Sequence, residues 1–311
     1  MANKKQLFGR LAALTCGCIW GYTYVVMVIL FRDFTPVEVQ FFRFAIAAVV
    51  LYLVYPKRME QKTTWRQELL FAGAGLSGVT TYFFLQGIAV LNSSASNVAV
   101  IVAVSPVFTA LLAWKILGEA RPTRTFFIGA VLALSGIGLI SFAGSQLELN
   151  PLGDLIAVFT ALSFAFYSII ARKIGGFGLH IIPVTRRIIL YGLLFLIPAM
   201  IAMDFRLELE RFSYLPNLTG TLYLGLAASA ACYVLWNFAV KTLGPARTSV
   251  FFYFVPVVGV AGSVLVLGET LTWMRLLGIV LTLGGLLLSN QWPQKKTETA
   301  VREQRDETDG E

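Results

Sequence analysis

The sequence predicts an all-α polytopic membrane protein whose ten transmembrane helices form two inverted five-helix repeats. Three observations support this prediction: the composition of the chain, the distribution of its charges and the recurrence of a short motif in its two halves. Of the 311 residues, 57% are hydrophobic and 14% are charged, whereas soluble domains typically have about 45–50% and about 25%. The composition therefore excludes an ordinary water-soluble enzyme.

Stretches without charged residues locate the predicted helices, because a helix needs about 20 apolar residues to cross a bilayer. The stretch 69–114 has 46 residues, enough for two helices, and we expect the turn near Asn92, in its most polar part. The stretches 44–56 and 188–203 reach full length only if the helices include arginines. Continuous apolar runs favour helices over a β-barrel. The predicted helices are 11–31, 36–55, 69–90, 97–117, 125–143, 154–171, 183–203, 218–240, 248–267 and 276–292.

The distribution of basic residues predicts the orientation of these helices. With both termini on the inner side, the inner segments hold eighteen lysines and arginines, the outer segments four and the helices three. Cytoplasmic segments of membrane proteins carry such an excess, so we expect a multi-pass protein with cytoplasmic N- and C-termini. The basic residues are spread over several short segments, which disfavours nucleic acid as a partner and leaves the lipid bilayer as the expected environment.

One motif occurs once in each half of the chain. A proline followed twelve residues later by Gly-Glu occurs at Pro106 and again at Pro256, an offset of 150 residues. Gly118 and Gly268 are expected to end the preceding helices in the left-handed conformation. Each half contains five predicted helices, and an odd number of spans forces the second half to enter the membrane from the opposite side. The predicted division is a cytoplasmic N-terminal tail at 1–10, a first repeat at 11–143, an external linker at 144–153, a second repeat at 154–292 and a disordered cytoplasmic tail at 293–311.

Inverted repeats indicate a transport mechanism. When two similar halves lie upside down to each other, a shape open to one side has a counterpart of similar energy open to the other side. Alternating access requires this property. We therefore predict a secondary transporter whose partner is a small-molecule solute. A channel-like protein, a drug-efflux protein and a membrane-embedded enzyme are the alternatives.

The motifs of the chain resemble those of a known family. Trp20-Gly21 in the first predicted helix, Phe42-Arg43-Phe44 in the second and the duplicated proline to Gly-Glu segment are similar to those of EamA-type members of the drug/metabolite transporter superfamily. The resemblance covers nearly the whole chain. It implies a carrier in the bacterial inner membrane, often an exporter of amino acids or related metabolites, with a central cavity between the two halves.

Aromatic and amide side chains at helical spacing predict the lining of that cavity. Trp20 and Tyr24 are four residues apart and therefore share a helix face. The amides of Gln86 and Asn237 would be costly against lipid, which favours the interior. The alternative for the aromatic residues is ordinary helix packing. The predicted cavity residues are Trp20, Tyr24, Gln40, Arg43, Tyr82, Gln86, Tyr233, Trp236, Asn237 and Tyr253.

Arginines and prolines inside the spans are the candidates for gating. Arg43 lies about two turns into the second predicted helix, where it could bind a substrate carboxylate, reorganise during gating, or play a structural role by capping carbonyls or pairing with Glu38. Its predicted repeat equivalent is Arg187, which favours the structural or gating role. Pro106 and Pro256 are predicted to kink their helices, as hinges or as static bends.

Several kinds of site are missing from the sequence. No acidic residue falls in the middle of a predicted span, which disfavours proton-coupled efflux of cations, although Glu38 at a cavity mouth leaves coupling open. The chain has no nucleotide-binding P-loop, and its one histidine, His180, falls in a predicted loop. We therefore expect no cofactor, no metal site and no catalytic residues. The sequence leaves a monomer and a homodimer equally open.

Overall fold

The computed structural model describes residues 2–57, 59, 63–93, 95–143, 150–203, 205–268 and 270–291. Within these ranges the chain is helical and contains no strand. In the first half, α1 is Ala2–Leu30, α2 is Pro36–Val54, α3 joins Trp65–Gly75, Leu76–Thr81 and Tyr82–Asn92, α4 joins Ala95–Val102 and Ser105–Leu117, and α5 is Arg124–Phe142. In the second half, α6 is Pro151–Gly175, α7 is Ile181–Ala202, α8 joins Leu215–Tyr223, Leu224–Ala231 and Cys232–Leu243, α9 joins Pro245–Ser249, Val250–Tyr253 and Phe254–Leu267, and α10 is Trp273–Ser289.

The predicted class, a polytopic all-α membrane protein built from two repeats, is confirmed. Across the described ranges, nine helices are long and apolar enough to cross a membrane. The remaining one, α10, is also apolar but has only 17 residues, so the count of ten spans depends on α10 crossing as well. The helix ends alternate between two ends of the bundle. We call the end that holds the start of α1 and the end of α10 the terminal end.

Capping side chains set helix starts that the charge pattern placed a few residues away. The Asn150 side chain accepts hydrogen bonds from the backbone N–H groups of Leu152 and Gly153, so α6 begins before the predicted residue 154. His180 caps α7 in the same way. The helix α1 begins at Ala2 and includes most of the predicted N-terminal tail. Residues 144–149 of the predicted linker and the predicted tail 293–311 lie outside the described residues.

Two π-helical segments interrupt α3 and α8 at equivalent places in the two repeats. They are Leu76–Thr81 and Leu224–Ala231, and both consist mostly of small residues. The Tyr233 hydroxyl donates to the carbonyl of Gly78 at 2.6 Å, and Trp20 Nε1 donates to the carbonyl of Ala228 at 2.9 Å. Side chains of other helices thus bond to carbonyls in both π segments. These segments are not among the features predicted from the sequence.

The helices α4 and α9 are also interrupted, each just before its proline. In α4 the break separates Val102 from Ser105, and in α9 a 3-10 segment, Val250–Tyr253, precedes the second part. Pro106 and Pro256 therefore occupy the first turn after a break, where the missing N–H has no helical partner to lose. The prediction that both prolines lie inside continuous helices is therefore wrong. Their role as hinges stays a prediction.

Glycines bring the last helices of the two repeats, α5 and α10, into backbone contact. A Cβ atom on Gly136 would lie 2.5 Å from the carbonyl oxygen of Gly278, and one on Gly285 would lie 2.4 Å from that of Gly129. Such small-residue contacts let apolar helices pack closely in a membrane. Gly118 ends α4 with φ 66°, and Gly268 follows α9 with φ 70°. The predicted left-handed caps are confirmed.

Candidate functional site

A cavity of about 1190 Å³ lies between the two repeats. It opens at the end of the bundle opposite the terminal end, beside the connections that follow α1 and α7, and we call this the cavity end. Much of its wall is apolar, with Val98 and Val102 from α4 facing Val255 and Val260 from α9. Arg43 and Phe252 also line the cavity. The cavity is thus formed by helices of both repeats.

Polar contacts between the repeats hold the mouth of the cavity. The Glu38 carboxylate is 1% exposed and accepts hydrogen bonds from Arg211 Nη1 at 3.0 Å and from the backbone N–H of Thr35 at 2.8 Å. Asn217 Nδ2 donates to the Asp33 carboxylate at 2.8 Å. The hydrogen bond to Glu208 holds the pKa of Arg211 above its ordinary value. Pairing of Glu38 with Arg43, one of the predicted alternatives, is wrong, because Arg211 occupies that carboxylate.

Arg43 is a buried cation with an incomplete set of partners. It is 1% exposed, and its Nε donates to Ser229 Oγ at 2.8 Å. The guanidinium carbon lies 4.7 Å from the ring centroid of Phe83 and 5.2 Å from that of Phe44, distances at which rings attract a cation. Among the described residues, its Nη2 has no hydrogen-bond partner and no carboxylate pairs with it. A buried charge in this condition is costly.

Aromatic rings close the cavity toward the terminal end. The ring centroids of Trp20 and Trp236 are 5.1 Å apart, and those of Phe164 and Phe252 are 4.8 Å apart. We call these four residues together with Tyr233 the aromatic floor. Phe252 belongs both to this cluster and to the cavity lining. The aromatic floor therefore adjoins the cavity wall on the side of the terminal end.

The structure divides the predicted cavity residues into separate groups. Those that line the cavity are Gln40, Arg43 and Gln86, together with the predicted hinge Pro256. Those that lie in or against the aromatic floor are Trp20, Tyr82, Tyr233 and Trp236. The side chain of Tyr24 lies outside the described part. A single lining made of all the predicted residues is therefore wrong, because the rings of the two repeats pack on one another instead of facing the open space.

Asn237 and Tyr253 lie away from the cavity. Asn237 accepts a hydrogen bond from the Tyr167 hydroxyl at 2.8 Å and donates to Thr185 at 3.0 Å, on the terminal side of the floor. Tyr253 is fully buried in a different apolar cluster, which includes Ile137 of α5. Its position in the 3-10 segment, next to Phe252, directs the two neighbouring rings to different sides of α9. Binding roles for these two residues would require another conformation of the chain.

Arg187, the predicted equivalent of Arg43, has a different setting. Its side chain is 43% exposed, and its Nη2 lies 2.8 Å from Glu68 Oε1. Glu68 also accepts a hydrogen bond from the Tyr191 hydroxyl at 2.7 Å. This group lies on α3 and α7 toward the terminal end. The gating role of Arg187 stays a prediction, but it cannot rest on a likeness to the surroundings of Arg43.

Helix contacts explain the difference between the two arginines. A Cβ atom on Gly225 of α8 would lie 2.5 Å from the Ile46 side chain on α2, and one on Gly75 of α3 would lie 2.9 Å from the Tyr191 side chain and 2.5 Å from the Ile188 carbonyl oxygen on α7. Matching the side chain of Ile46 to that of Tyr191 relates α2 to α7 by 145 residues, whereas the pairing of Arg43 with Arg187 requires 144. With an offset of 145, the residue of α7 equivalent to Arg43 is Ile188, and both residues are buried. A shift of one residue turns a side chain by about 100° around a helix.

At the terminal end, the described helices of the two repeats pack against one another. Glu119 lies against Gly244, where a Cβ atom would approach Glu119 Oε1 to 2.8 Å. Burial raises the pKa of the Glu119 carboxyl above its ordinary value, and Arg172 and Arg247 partly offset this increase. Arg172 Nη1 also donates to the carbonyl of Lys241. This cluster joins the connection after α4 to helices of the second repeat.

Comparison with known proteins identifies the family. The model of the EamA-like transporter family matches residues 7–142 and again residues 151–291. The chain belongs to the EamA-like transporter family. The two matches place one family unit on each repeat, so the resemblance inferred from the motifs is confirmed.

Relatives of this EamA-like chain bear the names of transporters. An uncharacterized transporter of Archaeoglobus fulgidus is 27% identical over 93% of the chain and 98% of its own length. A probable terminal-alkyne amino-acid exporter of Streptantibioticus cattleyicolor is 28% identical over 80% of the chain and 82% of its own length. The uncharacterized inner membrane transporter YedA of Escherichia coli is 28% identical over 87% of each chain. These names indicate transport as the activity of the family.

A solved crystal structure has the same fold as this EamA-like chain. It superposes with a TM-score of 0.74 at 16% identity and covers 90% of this chain and 96% of its own. Two residues of the site, Phe83 and Phe164, are not among those predicted from the sequence, whereas the spacing before Pro256 also points to Phe252. A phenylalanine in an apolar stretch carries no signal that separates a cavity wall from a packed interior. The small residues of the two π segments, in contrast, recur at equivalent places and could have revealed them.

Proposed function

We propose that this protein is an alternating-access carrier that exports an amino acid or a related small organic metabolite across the bacterial inner membrane. The observation that supports this most directly is the single-sided cavity between two inverted repeats, open at the cavity end and closed by the aromatic floor. A carrier needs one conformation of this kind and a second one open to the other side. The two similar halves provide the means to reach the second conformation.

The cavity suits an organic solute. Its volume is slightly above the range of about 300–1000 Å³ that is typical of small-molecule sites. Valine side chains and the rings of Phe83 and Phe252 offer apolar contacts, while Gln40, Gln86 and Arg43 offer polar ones. One relative bears the name of a probable amino-acid exporter, which favours amino acids among the solutes that combine both kinds of group.

The excess of basic residues in the segments near the terminal end supports an orientation with both termini in the cytoplasm. The cavity end then faces the periplasm. In this orientation the structure corresponds to the outward-open conformation, from which an exporter releases its solute. Uptake through the same cycle is the alternative direction, and it depends on the gradients.

Reconstitution tests the proposed function. Purified protein in liposomes should take up radiolabelled amino acids with saturation, and an unlabelled amino acid inside the liposomes should stimulate this uptake. Ala99→Trp, which places a large ring in the cavity, should suppress uptake, whereas Val131→Trp on the exposed face of α5 should not. Flux that rises without saturation and ignores solute on the other side would indicate a channel and contradict the proposal.

A further inference from the structure

The strongest unexplained feature of the cavity is the free Nη2 of Arg43. The side chain is 99% buried. Its Nε donates a hydrogen bond to Ser229, and its guanidinium group lies against the rings of Phe44 and Phe83. Its Nη2 is left without a hydrogen-bond partner among the described residues, although the residue lines the cavity. A buried guanidinium normally completes its hydrogen bonds with a carboxylate or a phosphate. We therefore expect a molecule bound in the cavity to supply the missing hydrogen-bond acceptor.

The charges around the cavity favour an anionic group. Its described lining contains five arginines and two acidic residues, Asp33 and Glu38. Both acidic residues are near the mouth and are already bonded, Glu38 to Arg211 and Asp33 to Asn217. In the described lining, Arg43 Nη2 thus lacks a hydrogen-bond partner, whereas both carboxylates already have one.

We propose that the cavity recognises its solute through a carboxylate bound at Arg43, and that an amino group on the solute is dispensable. This inference rests on the proposed function. The carboxylate would accept a hydrogen bond from Nη2, while the apolar body of the solute would lie against Phe83 and the valines of α4 and α9. The preferred class is therefore an apolar carboxylic acid, with or without an α-amino group.

Matched compounds separate the carboxylate from the amino group. The probes are leucine and phenylalanine, the amines that lack their carboxylate (isoamylamine and phenethylamine) and the acids that lack their amino group (4-methylpentanoate and 3-phenylpropanoate). Binding is measured as ligand-induced thermal stabilisation of the purified protein, since a ligand that binds only the folded state raises its stability. In the leucine set, the phenylalanine set or both, the amino acid and the carboxylic acid that lacks the amino group should bind with comparable affinity. The amine of the same set should bind much more weakly.

Variants of Arg43 test whether this residue causes the discrimination. Arg43→Gln should weaken binding of the acids by about 10-fold to 100-fold, as expected for a charge-assisted hydrogen bond, and leave the weak binding of the amines unchanged. Arg43→Lys, which keeps the charge but loses the planar fork, should give an intermediate affinity. The control is Arg66→Gln, because Arg66 is an exposed arginine over the ring of Trp65 on α3 and is absent from the cavity lining. The unliganded unfolding temperature and gel filtration show whether each variant folds.

The outcomes separate this inference from the proposed function. Equal binding of amines and acids, retention of the discrimination in both Arg43 variants, or failure of every acid to stabilise the wild-type protein would each overturn the inference. The counterflow assay gives an independent result. Counterflow without dependence on the carboxylate would leave the carrier in place and remove the role of Arg43. Binding of acids at Arg43 without counterflow would support the site and contradict the carrier.

Discussion

The two ends of the bundle differ in how the repeats meet. At the cavity end the contacts between repeats lie at the rim, where Glu38 meets Arg211 and the space beneath stays open. At the terminal end the contacts lie in a packed region, where Glu119 meets Gly244. The two repeats thus leave an opening at one end of the molecule and pack closely at the other. A transport cycle must open the closed end, so the residues that close it are as informative as those that line the cavity.

Cysteine accessibility should give the largest contrast between the two ends. In a variant without the three native cysteines, Val28→Cys at the cavity should react with a membrane-impermeant thiol reagent added outside intact cells, because Val28 is 51% exposed and lines the cavity. Lys173→Cys, exposed toward the terminal end of α6, should react only after the membrane is opened. The reverse pattern would contradict the proposed orientation of the termini.

Removing a ring from the aromatic floor should weaken the closed end strongly. Trp236 is 1% exposed and contacts Trp20, Phe164 and Phe252. Trp236→Ala should lower the free energy of unfolding by about 3–5 kcal/mol, the usual cost of deleting a buried ring. It should also let the impermeant reagent reach a cysteine at Asn237 from the cavity end.

Trp65→Ala is the matched control, because Trp65 is 67% exposed at the start of α3. It should leave both the thermal stability and the labelling nearly unchanged. If Trp236→Ala destabilises the protein but leaves the cysteine at Asn237 protected, the floor does not form the barrier that closes the cavity.

We expect the Glu119 cluster to make the closed end sensitive to pH. Burial raises the pKa of the Glu119 carboxyl, whereas a terminal end that has opened to water would return it toward its ordinary value. As the pH falls through the raised pKa, the carboxyl becomes neutral in the closed form first, so the closed form gains stability. Below the ordinary pKa both forms are protonated and the gain is complete.

Glu119→Gln should therefore favour the closed terminal end at neutral pH and remove this part of the pH dependence. The measurement is the reactivity of Ala246→Cys, buried beside Gly244, toward an impermeant reagent added outside inverted vesicles, where the proposed orientation exposes the terminal end to the medium. Glu210→Gln, on an exposed residue at the cavity end, should leave the pH profile as in the wild type. A wild-type profile that is flat between neutral and mildly acidic pH would contradict the role of Glu119.

The sequence predicted the fold better than the site, for a physical reason. Helices, repeats and the left-handed Gly118 follow from local hydropathy and backbone preferences. Which face of a helix meets a cavity depends on how all the helices pack. The spacing of Trp20 and Tyr24 is the same whether their face lines a cavity or packs against another helix. A charge in an apolar span is costly wherever it faces, so Arg43 and its amide neighbour Gln40 could be placed in the interior from sequence alone.

The smallest expected effect concerns Arg187, and it tests the comparison of the repeats. The ion pair between Arg187 and Glu68 is partly exposed, with 43% and 21% of the side chains accessible. Exposed pairs contribute about 0.2–1 kcal/mol, so Arg187→Gln should shift the unfolding temperature only slightly. If the pair helps to close the terminal end, Arg187→Gln should raise the reactivity of Ala246→Cys by a few-fold at most. High salt should reduce this difference from the wild type, because it screens the ion pair.

Ile188→Ala provides the stability comparison for Arg187→Gln. Ile188 is fully buried at the position that the contacts place opposite Arg43, so its truncation should cost about 2–5 kcal/mol. An offset of 145 predicts that Ile188 matters for the α3–α7 contact and that Arg187 is peripheral. If Arg187→Gln and Arg43→Gln instead reduced counterflow to the same extent, the two arginines would be functional equivalents, and the contact-based pairing of the repeats would be wrong.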